Sequence, residues 1–186
     1  NGAYTSWGAT TPFVMMQTIS SLYRVPHCKY HTRAVYTNNP YAGSFRGYGN
    51  LQATFAVEAH MDRLAEAIGM DPLEIRLKNA QAPGEVTPQG MHFKTCGLKD
   101  CLATAAGRSG YQAKRRASEA MRHEANPVKR GVGIASMLHV GGGAKIYPSD
   151  GCGTILKVDD FAHLTLITGA SEIGQGSETV LAQLVC

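Results

Sequence analysis

The stretch A-G-S-F-R-G-Y-G-N-L-Q (residues 42–52) predicts a tight turn that leads directly into a helix. Its glycines let the backbone bend sharply or come very close to a bound group. Phe45, Arg46 and Tyr48 stand among them, and an arginine beside two aromatic rings favours a planar, anionic ligand. The alternative is structural: the two rings would pack beneath the turn and Arg46 would form a surface ion pair.

A second glycine-rich stretch, G-A-S-E-I-G-Q-G-S-E (169–178), follows a predicted strand and opens a helix. The first N–H groups of a helix have no partner within it, and the helix dipole is positive at that end. Such a turn therefore binds anions, phosphates above all. Gln175 lies between Gly174 and Gly176, and its amide offers donors and an acceptor that suit a heterocycle or a metal-oxo group. A plain strand-to-helix turn is the alternative.

Length and composition predict an ordinary globular protein. The chain has 186 residues, of which 44% are hydrophobic and 17% charged, and its net charge is +4. Its five cysteines form no C-x-x-C pair, which indicates reduced thiols rather than disulfides or a zinc site. The sequence has neither a signal peptide nor an apolar run of the roughly 18 residues that a membrane span needs, which predicts a cytoplasmic protein without a transmembrane segment. A start without methionine and an end inside a predicted helix predict a piece of a longer protein.

Familiar nucleotide-binding and nucleophile motifs are absent from the sequence. There is no G-x-x-x-x-G-K-[ST], no G-x-G-x-x-G after a strand and no G-x-S-x-G. His27 and Cys28 are neighbours, and on a strand their side chains would point to opposite faces. We therefore interpret them, and His31 nearby, as turn and surface residues, and no metal site is predicted. The basic run at 114–116 lacks interleaved aromatic residues, which favours a solvated helix face over a nucleic-acid site.

Hydrophobic periodicity and turn residues predict an α+β protein. The predicted helices cover residues 10–23, 50–68, 72–79, 98–107, 111–125 and 177–185, and the predicted strands cover 29–36, 131–140, 153–158 and 163–168. Asn50 and Asp71 are predicted N-caps. The second helix carries an apolar stripe that consists of Val57, Met61, Leu64 and Ile68. The connection at 82–96 and the change of character after Pro127 divide the chain into segments 1–82, 83–126 and 127–186.

The two glycine-rich stretches together resemble a known family. S-F-R-G-Y-G-N-L-Q is similar to the F-R-G-[FY]-G-x-x-Q signature of the molybdenum-binding large subunit of the xanthine oxidase family, and E-I-G-Q-G-S-E-T-V-L-A-Q resembles that family's later x-G-Q-G segment. The intervening T-N-N-P-Y-A-G and H-M-D-R-L-A-E-A-I-G-M-D-P-L-E-I-R-L-K-N, and the opening G-A-Y-T-S-W-G, are similar as well. The resemblance covers nearly the whole chain, and the combination of motifs is specific where either loop alone is not.

The resemblance implies an α+β fragment with a mixed sheet that spans two molybdenum-cofactor-binding domains. The cofactor would be a molybdenum-pterin, in bacteria usually molybdopterin cytosine dinucleotide, with [2Fe-2S] clusters and FAD on partner subunits. Carried over by motif, the catalytic residues are Tyr48, against the substrate ring, and Arg46, near the metal's oxygen ligands. The implied cofactor-binding residues are Phe45, Gly47, Gly174, Gln175 and Gly176. The chain lacks the family's G-x-G-E segment with the active-site glutamate, and Glu172 and Glu178 are interpreted as helix-start charges.

Within the family, the sequence most resembles the alpha subunit of the 4-hydroxybenzoyl-CoA reductase branch. Tyr48 stands where hydroxylating members usually carry phenylalanine, and L-H-V-G-G-G-A-K-I-Y-P-S-D-G (138–151) is similar to that branch. The resemblance implies reductive dehydroxylation of 4-hydroxybenzoyl-CoA to benzoyl-CoA, with flavin and iron–sulfur partner subunits and an aromatic CoA thioester as substrate. Two alternatives stay open: a hydroxylase of xanthine or aldehyde type, and a non-catalytic binding domain.

Overall fold

The computed structural model describes residues 2–123, 125, 127–139 and 151–186. The chain divides into two compact units, Asn1–His139 and Val140–Cys186. The described helices are α1 (Thr11–Ile19), α2 (Asn50–Ala67), α3 (Pro72–Asn79), α4 (Leu98–Ser109), α5 (Tyr111–Ala120) and α6 (Ser177–Val185), and the described strands are β1 (Thr154–Val158) and β2 (Leu164–Thr168). The predicted α+β class is confirmed.

The observed N-cap agrees with the predicted one at α3 and differs from it at α2. The Asp71 side chain accepts hydrogen bonds from the N–H groups of Leu73 (2.8 Å) and Glu74 (3.4 Å), so the predicted cap is confirmed. At α2 the N-cap is Gly49 in the left-handed conformation, and the prediction of Asn50 as the cap is wrong. Asn50 is instead the first helical residue, with its side chain buried.

Two predicted helices are longer than the observed ones. α1 ends at Ile19, short of residue 23, because the chain turns there and Tyr23 forms an isolated antiparallel bridge with Ala80. α5 ends at Ala120 and passes into a short 3₁₀ helix, Met121–His123. The predicted helix runs on to residue 125, but residue 125 is not helical and residue 124 lies outside the described residues. α6 has the predicted bounds.

Two of the four predicted strands are wrong. Residues 29–36 form no strand with any described residue, because alternating β-prone side chains need a neighbouring strand to pair with, and the described part supplies none. Residues 131–139 likewise form no strand, although alternate side chains of this segment, such as Ile134 and Leu138, pack on the helices. Residue 140, the predicted end of that strand, lies outside the described residues.

The other two predicted strands are confirmed as an antiparallel hairpin. β1 pairs with β2 in a register that runs from Thr154 opposite Thr168 to Val158 opposite Leu164. The Asp159 carboxylate closes the turn by accepting hydrogen bonds from the N–H groups of Phe161 (2.9 Å) and His163 (2.8 Å). These bonds lower the pKa of Asp159, the one from the His163 N–H most of all.

The core of the first unit consists of two apolar clusters. One contains Leu22, Tyr23, Met61, Ala65 and Ile75, and the other contains Leu73, Leu102, Ala106 and Tyr111. The predicted stripe on α2 is only partly inward: Met61 is buried, whereas 40% of Leu64 and 61% of Ile68 are exposed. The buried face of α2 is rotated from that stripe and includes a charged residue, Glu58.

A buried ion-pair network explains the rotation. Arg76 of α3 is fully buried, and its guanidinium binds the carboxylates of Glu58 and Asp62 at 2.8 Å each. Glu58 also accepts hydrogen bonds from the Tyr23 hydroxyl (2.6 Å) and the Ser136 N–H (3.0 Å). Burial and the bond to Glu58 raise the pKa of Tyr23 well above its usual value. The network ties α2 and α3 to the chain after α1 and to residues 131–139.

Candidate functional site

The turn at residues 45–49 is fixed from within. The Tyr48 N–H donates to the Phe45 carbonyl at 2.7 Å, and the Asn50 N–H donates to the Gly47 carbonyl at 2.9 Å. Three successive residues, Gly47, Tyr48 and Gly49, have positive φ angles of 91°, 44° and 96°. Asn50 reinforces the turn, since its side-chain NH₂ donates to the Gly47 carbonyl at 2.7 Å. The turn therefore has a defined shape before any ligand arrives.

Two neighbours hold Tyr48 in its strained conformation. Its hydroxyl donates to the Trp7 carbonyl at 2.9 Å and is hydrogen-bonded to the Thr10 hydroxyl. Its ring meets the Trp7 ring edge to face, with centroids 6.5 Å apart and planes at 77°. Sequence reasoning assigned no role to Trp7 or Thr10. An isolated tryptophan in G-A-Y-T-S-W-G was the available signal.

The first residues of the turn carry hydrogen-bond donors without a partner. Within the described part of the chain, the backbone N–H groups of Phe45, Arg46 and Gly47 have no hydrogen-bond partner, and the Arg46 guanidinium forms no ion pair. The Phe45 side chain is 79% exposed. Successive unpaired N–H groups on a tight turn form a concavity that binds anions. The turn can thus receive an oxyanion or the oxygen ligands of a metal.

The loop before α6 differs from its predicted form. The Glu172 carboxylate accepts hydrogen bonds from the N–H groups of Gly174 (2.5 Å) and Gly176 (3.1 Å) and from the Ser177 hydroxyl (2.9 Å). The prediction that the N–H groups of this turn are available to an external anion is therefore wrong for Gly174 and Gly176. The protein's own carboxylate occupies that position.

Gln175 closes the same loop from the other side. Its amide oxygen accepts from the Ile173 N–H at 2.8 Å, and its amide nitrogen donates to the Ser171 carbonyl at 2.7 Å. Gly174 and Gly176, on either side, have positive φ angles of 97° and 81°. The amide that was predicted to face a cofactor thus makes its bonds within the loop.

The ionisation of Glu172 provides a direct test of this loop. Hydrogen bonds from the Gly176 N–H and then the Ser177 hydroxyl lower the pKa of Glu172 from 4.5 to about 2. Because the pKa is lowered on folding, the carboxylate's contribution is fully present above pH 4.5 and is lost as the pH falls through about 2. We expect the amide NMR signals of Gly174 and Gly176 to titrate with a midpoint near 2. A midpoint near 4.5 would contradict the contact, and Glu172→Gln should abolish the transition.

The described residues offer little to a metal held by side chains alone. Among residues 2–123, 125, 127–139 and 151–186, no group of three or more His, Cys, Asp or Glu could hold an ion, and His27, Cys28 and His31 are exposed. No helix in the described part is long and apolar enough to span a membrane. The two glycine-rich turns are therefore the strongest candidate functional features, one in each compact unit.

Comparison with known families places both turns in domains of one kind. Residues 1–80 and residues 104–186 each match a family described as a molybdopterin cofactor-binding domain. The first range contains the turn at 45–49, and the second contains the loop at 171–177. The class of protein that the fold and the turns define is thus one built from molybdopterin cofactor-binding domains.

Individual relatives narrow the class. The chain is 36% identical over 191 residues to the xanthine dehydrogenase molybdenum-binding subunit of Escherichia coli O157:H7, with 99% of this chain and 24% of that protein covered. It is 33% identical over 178 residues to the aldehyde oxidoreductase of Megalodesulfovibrio gigas, with 96% of this chain and 19% of that protein covered. The chain belongs to the molybdopterin-binding domains of the xanthine oxidase family.

A solved structure agrees with this assignment. The aldehyde oxidoreductase from Desulfovibrio gigas superimposes with a TM-score of 0.68 at 30% identity, covering 89% of this chain and 17% of that one. The chain spans about a quarter or less of the length of these relatives. The described residues therefore share the fold of a part of that aldehyde oxidoreductase.

Proposed function

We propose that the chain is the molybdopterin-binding part of a molybdenum hydroxylase or dehydrogenase of xanthine or aldehyde type. The observation that carries the proposal is the fixed turn at 45–49, whose N–H groups at Phe45, Arg46 and Gly47 have no partner among the described residues. The names of the relatives, a xanthine dehydrogenase subunit and an aldehyde oxidoreductase, support this branch. The cofactor would be a molybdenum-pterin, proposed to be the cytosine dinucleotide form.

The residues of the turn fit such a group. The N–H groups of Phe45, Arg46 and Gly47 supply adjacent donors for the oxygen ligands of a metal, and the Arg46 guanidinium adds positive charge beside them. When bound, the cofactor supplies the electron chemistry, while the protein supplies binding and orientation. Tyr48 would hold the turn against Trp7 and present its ring as a wall for a flat substrate.

The loop at 171–177 would contribute through its shape. Because Glu172 already satisfies Gly174 and Gly176, the loop suits a cofactor that packs on the glycines rather than a phosphate that occupies their N–H groups. Gln175 would reach the pterin by exchanging its bond to the Ser171 carbonyl for one to the cofactor. Gly174, Gln175 and Gly176 remain proposed cofactor-binding residues on this basis.

A reductase acting on 4-hydroxybenzoyl-CoA is the second candidate. Tyr48 is the observation that favours it, but the hydroxyl of Tyr48 bonds to Trp7 and Thr10 within the protein, which gives the tyrosine a structural purpose in either branch. Most of the other supporting stretch, residues 140–150, lies outside the described residues. We therefore rank the hydroxylase first, and keep a non-catalytic binding domain as a third hypothesis.

The remaining expectations are proposals about the whole protein. They are flavin-binding and iron–sulfur partner subunits with FAD and [2Fe-2S] clusters, a location in the cytoplasm, and an aromatic CoA thioester substrate for the reductase alone. The division into segments 1–82, 83–126 and 127–186 also stays a prediction.

Arg46→Gln in the holoenzyme tests the proposed function. We expect turnover of xanthine or an aldehyde to fall by about tenfold or more, because a cationic donor beside the developing charge is lost. Arg63→Gln on the exposed side of α2 is the matched control and should keep wild-type turnover. Equal activity of the two variants would contradict the proposed role of Arg46. Activity on 4-hydroxybenzoyl-CoA in place of xanthine and aldehydes would select the reductase.

A further inference from the structure

A cleft on the first unit lies on a different surface from the turn at 45–49. It has a volume of about 810 Å³ and is bordered by the end of α2, the start of α3, one face of α5 and residues 129–134. Clefts of about 300–1,000 Å³ are typical of small-molecule sites. None of the lining residues belongs to either glycine-rich turn.

The charges in this cleft do not cancel. Three of its four acidic side chains are engaged: Asp62 pairs with Arg76 at 2.8 Å, and Asp71 and Glu119 pair with Arg115 at 3.1 Å and 3.4 Å. The fourth, Glu66, is exposed and forms no ion pair with a described residue. By contrast, three lining arginines form no ion pair with any residue that the structure describes, and these are Arg116, Arg122 and Arg130. The lining carries five basic and four acidic side chains, and the Asp62 charge is already balanced by Arg76, so the surplus charge of the cleft is positive.

A polar group beneath the surface of the cleft lacks a partner. Tyr111, the first residue of α5, lines it and is only 2% exposed. Its hydroxyl is buried and has no hydrogen-bond partner among the described residues. Burial, and then the negative charge of Asp71, raise the pKa of this hydroxyl, so that it remains a donor at neutral pH. A buried donor without an acceptor is unfavourable, and an anion that displaced the side chains covering this hydroxyl would relieve it.

The wall of the cleft is already in place. The Ser118 hydroxyl donates to the Arg130 carbonyl at 2.7 Å, and the Lys129 ammonium donates to the carbonyls of Met121 (2.9 Å) and Arg122 (3.3 Å). These bonds hold residues 129–130 against the C-terminal end of α5 and the short 3₁₀ helix after it, which contains Arg122. Arginines on α5 and on the facing segment thus border one preformed space.

We propose that this cleft binds a small, multiply charged anion that carries phosphate or carboxylate groups. Arg116, Arg122 and Arg130 supply the positive charge, and the Tyr111 hydroxyl donates a hydrogen bond to the ligand once the side chains that cover it move aside. The planar guanidinium matches both phosphate and carboxylate oxygens in paired bonds. This site does not depend on the proposed molybdenum chemistry, since it uses a separate set of residues.

Calorimetric titration of the holoenzyme with pyrophosphate and, separately, with citrate tests the site. We expect at least one probe to bind, with an affinity that falls as salt is raised. The tighter probe identifies the ligand class as phosphate or carboxylate. Arg116→Gln and Arg130→Gln should each weaken binding by about tenfold. Lys114→Gln, on α5 but outside the cleft, is the matched control and should leave the affinity unchanged.

Tyr111→Phe keeps the experiment decisive if an arginine variant fails to fold. Removing an unpartnered hydroxyl should leave the melting temperature of the ligand-free protein unchanged or raised, while the affinity for the probe falls several-fold. The proposal is overturned if neither probe binds even at a concentration of about 10 mM, at which a site with a Kd in the millimolar range or tighter would be mostly occupied. It is also overturned if Lys114→Gln weakens binding as much as Arg116→Gln, or if Tyr111→Phe leaves affinity unaltered.

Discussion

Replacing Arg76 with methionine destabilises the protein by about 3–5 kcal/mol, because the change leaves a buried carboxylate without its cation. Glu58 would keep its bonds from the Tyr23 hydroxyl and the Ser136 N–H, but these neutral donors do not compensate a buried negative charge. The free energy of unfolding, measured with urea, is the appropriate quantity. Arg63→Met, on the exposed side of α2, is the matched control and should change it by less than about 0.5 kcal/mol.

A double variant separates the ion pair from simple loss of packing. In Glu58→Leu with Arg76→Met, both charges are gone, so much of the lost stability should return. A single Arg76→Met variant that loses less than about 1 kcal/mol would mean that the network is not buried as described. A double variant no more stable than the single one would assign the loss to packing rather than to charge.

Replacing Gly49 with alanine should lower the free energy of unfolding by about 2–5 kcal/mol, because the added Cβ causes backbone strain and overpacking. Gly49 has a φ angle of 96°, and an added Cβ would lie 2.7 Å from the Thr11 carbonyl oxygen and 3.1 Å from the Met15 side chain. Because one of these contacts is backbone, the turn itself would have to shift. The melting temperature and the molybdenum content of the holoenzyme should both fall.

Gly69→Ala is the matched control for this change. Gly69 also has a positive φ angle, 65°, but an added Cβ there meets nothing within 4 Å. The free energy of unfolding of Gly69→Ala should fall only by the conformational strain of about 1–2 kcal/mol, and the variant should keep its molybdenum. If the two variants lose equal stability, the close packing of the 45–49 turn on α1 is not what fixes its shape.

The sequence predicted best where the determinants are local. The start of α3 rests on Asp71 and Pro72, and the β1–β2 hairpin rests on two short β-prone runs on either side of an aspartate turn. Both signals lie within a few residues of the chain. The strand predicted at 29–36 failed because strand formation depends on a partner elsewhere. At 131–139 the alternation was real, but it packs the segment on helices instead of in a sheet.

The buried network could not be predicted from local pattern. Glu58 and Arg76 are 18 residues apart, and each looks like an exposed charge on its own helix. The candidate site shows the same division. Sequence alone indicated that the two glycine-rich turns matter, whereas the supports of Tyr48 by Trp7 and Thr10 depend on tertiary contacts. The interpretation of Glu172 as a helix-start charge agrees with its bonds to Gly174, Gly176 and Ser177, because a carboxylate just before a helix start is a common partner for its N–H groups.

The central claim, that the chain binds molybdopterin, is tested most directly by measuring molybdenum and pterin in the purified holoenzyme. The account predicts about one molybdenum and one pterin for each copy of the chain, and a clear loss of both in Gly49→Ala but not in Gly69→Ala. A pure, folded holoenzyme without molybdenum or pterin would contradict it.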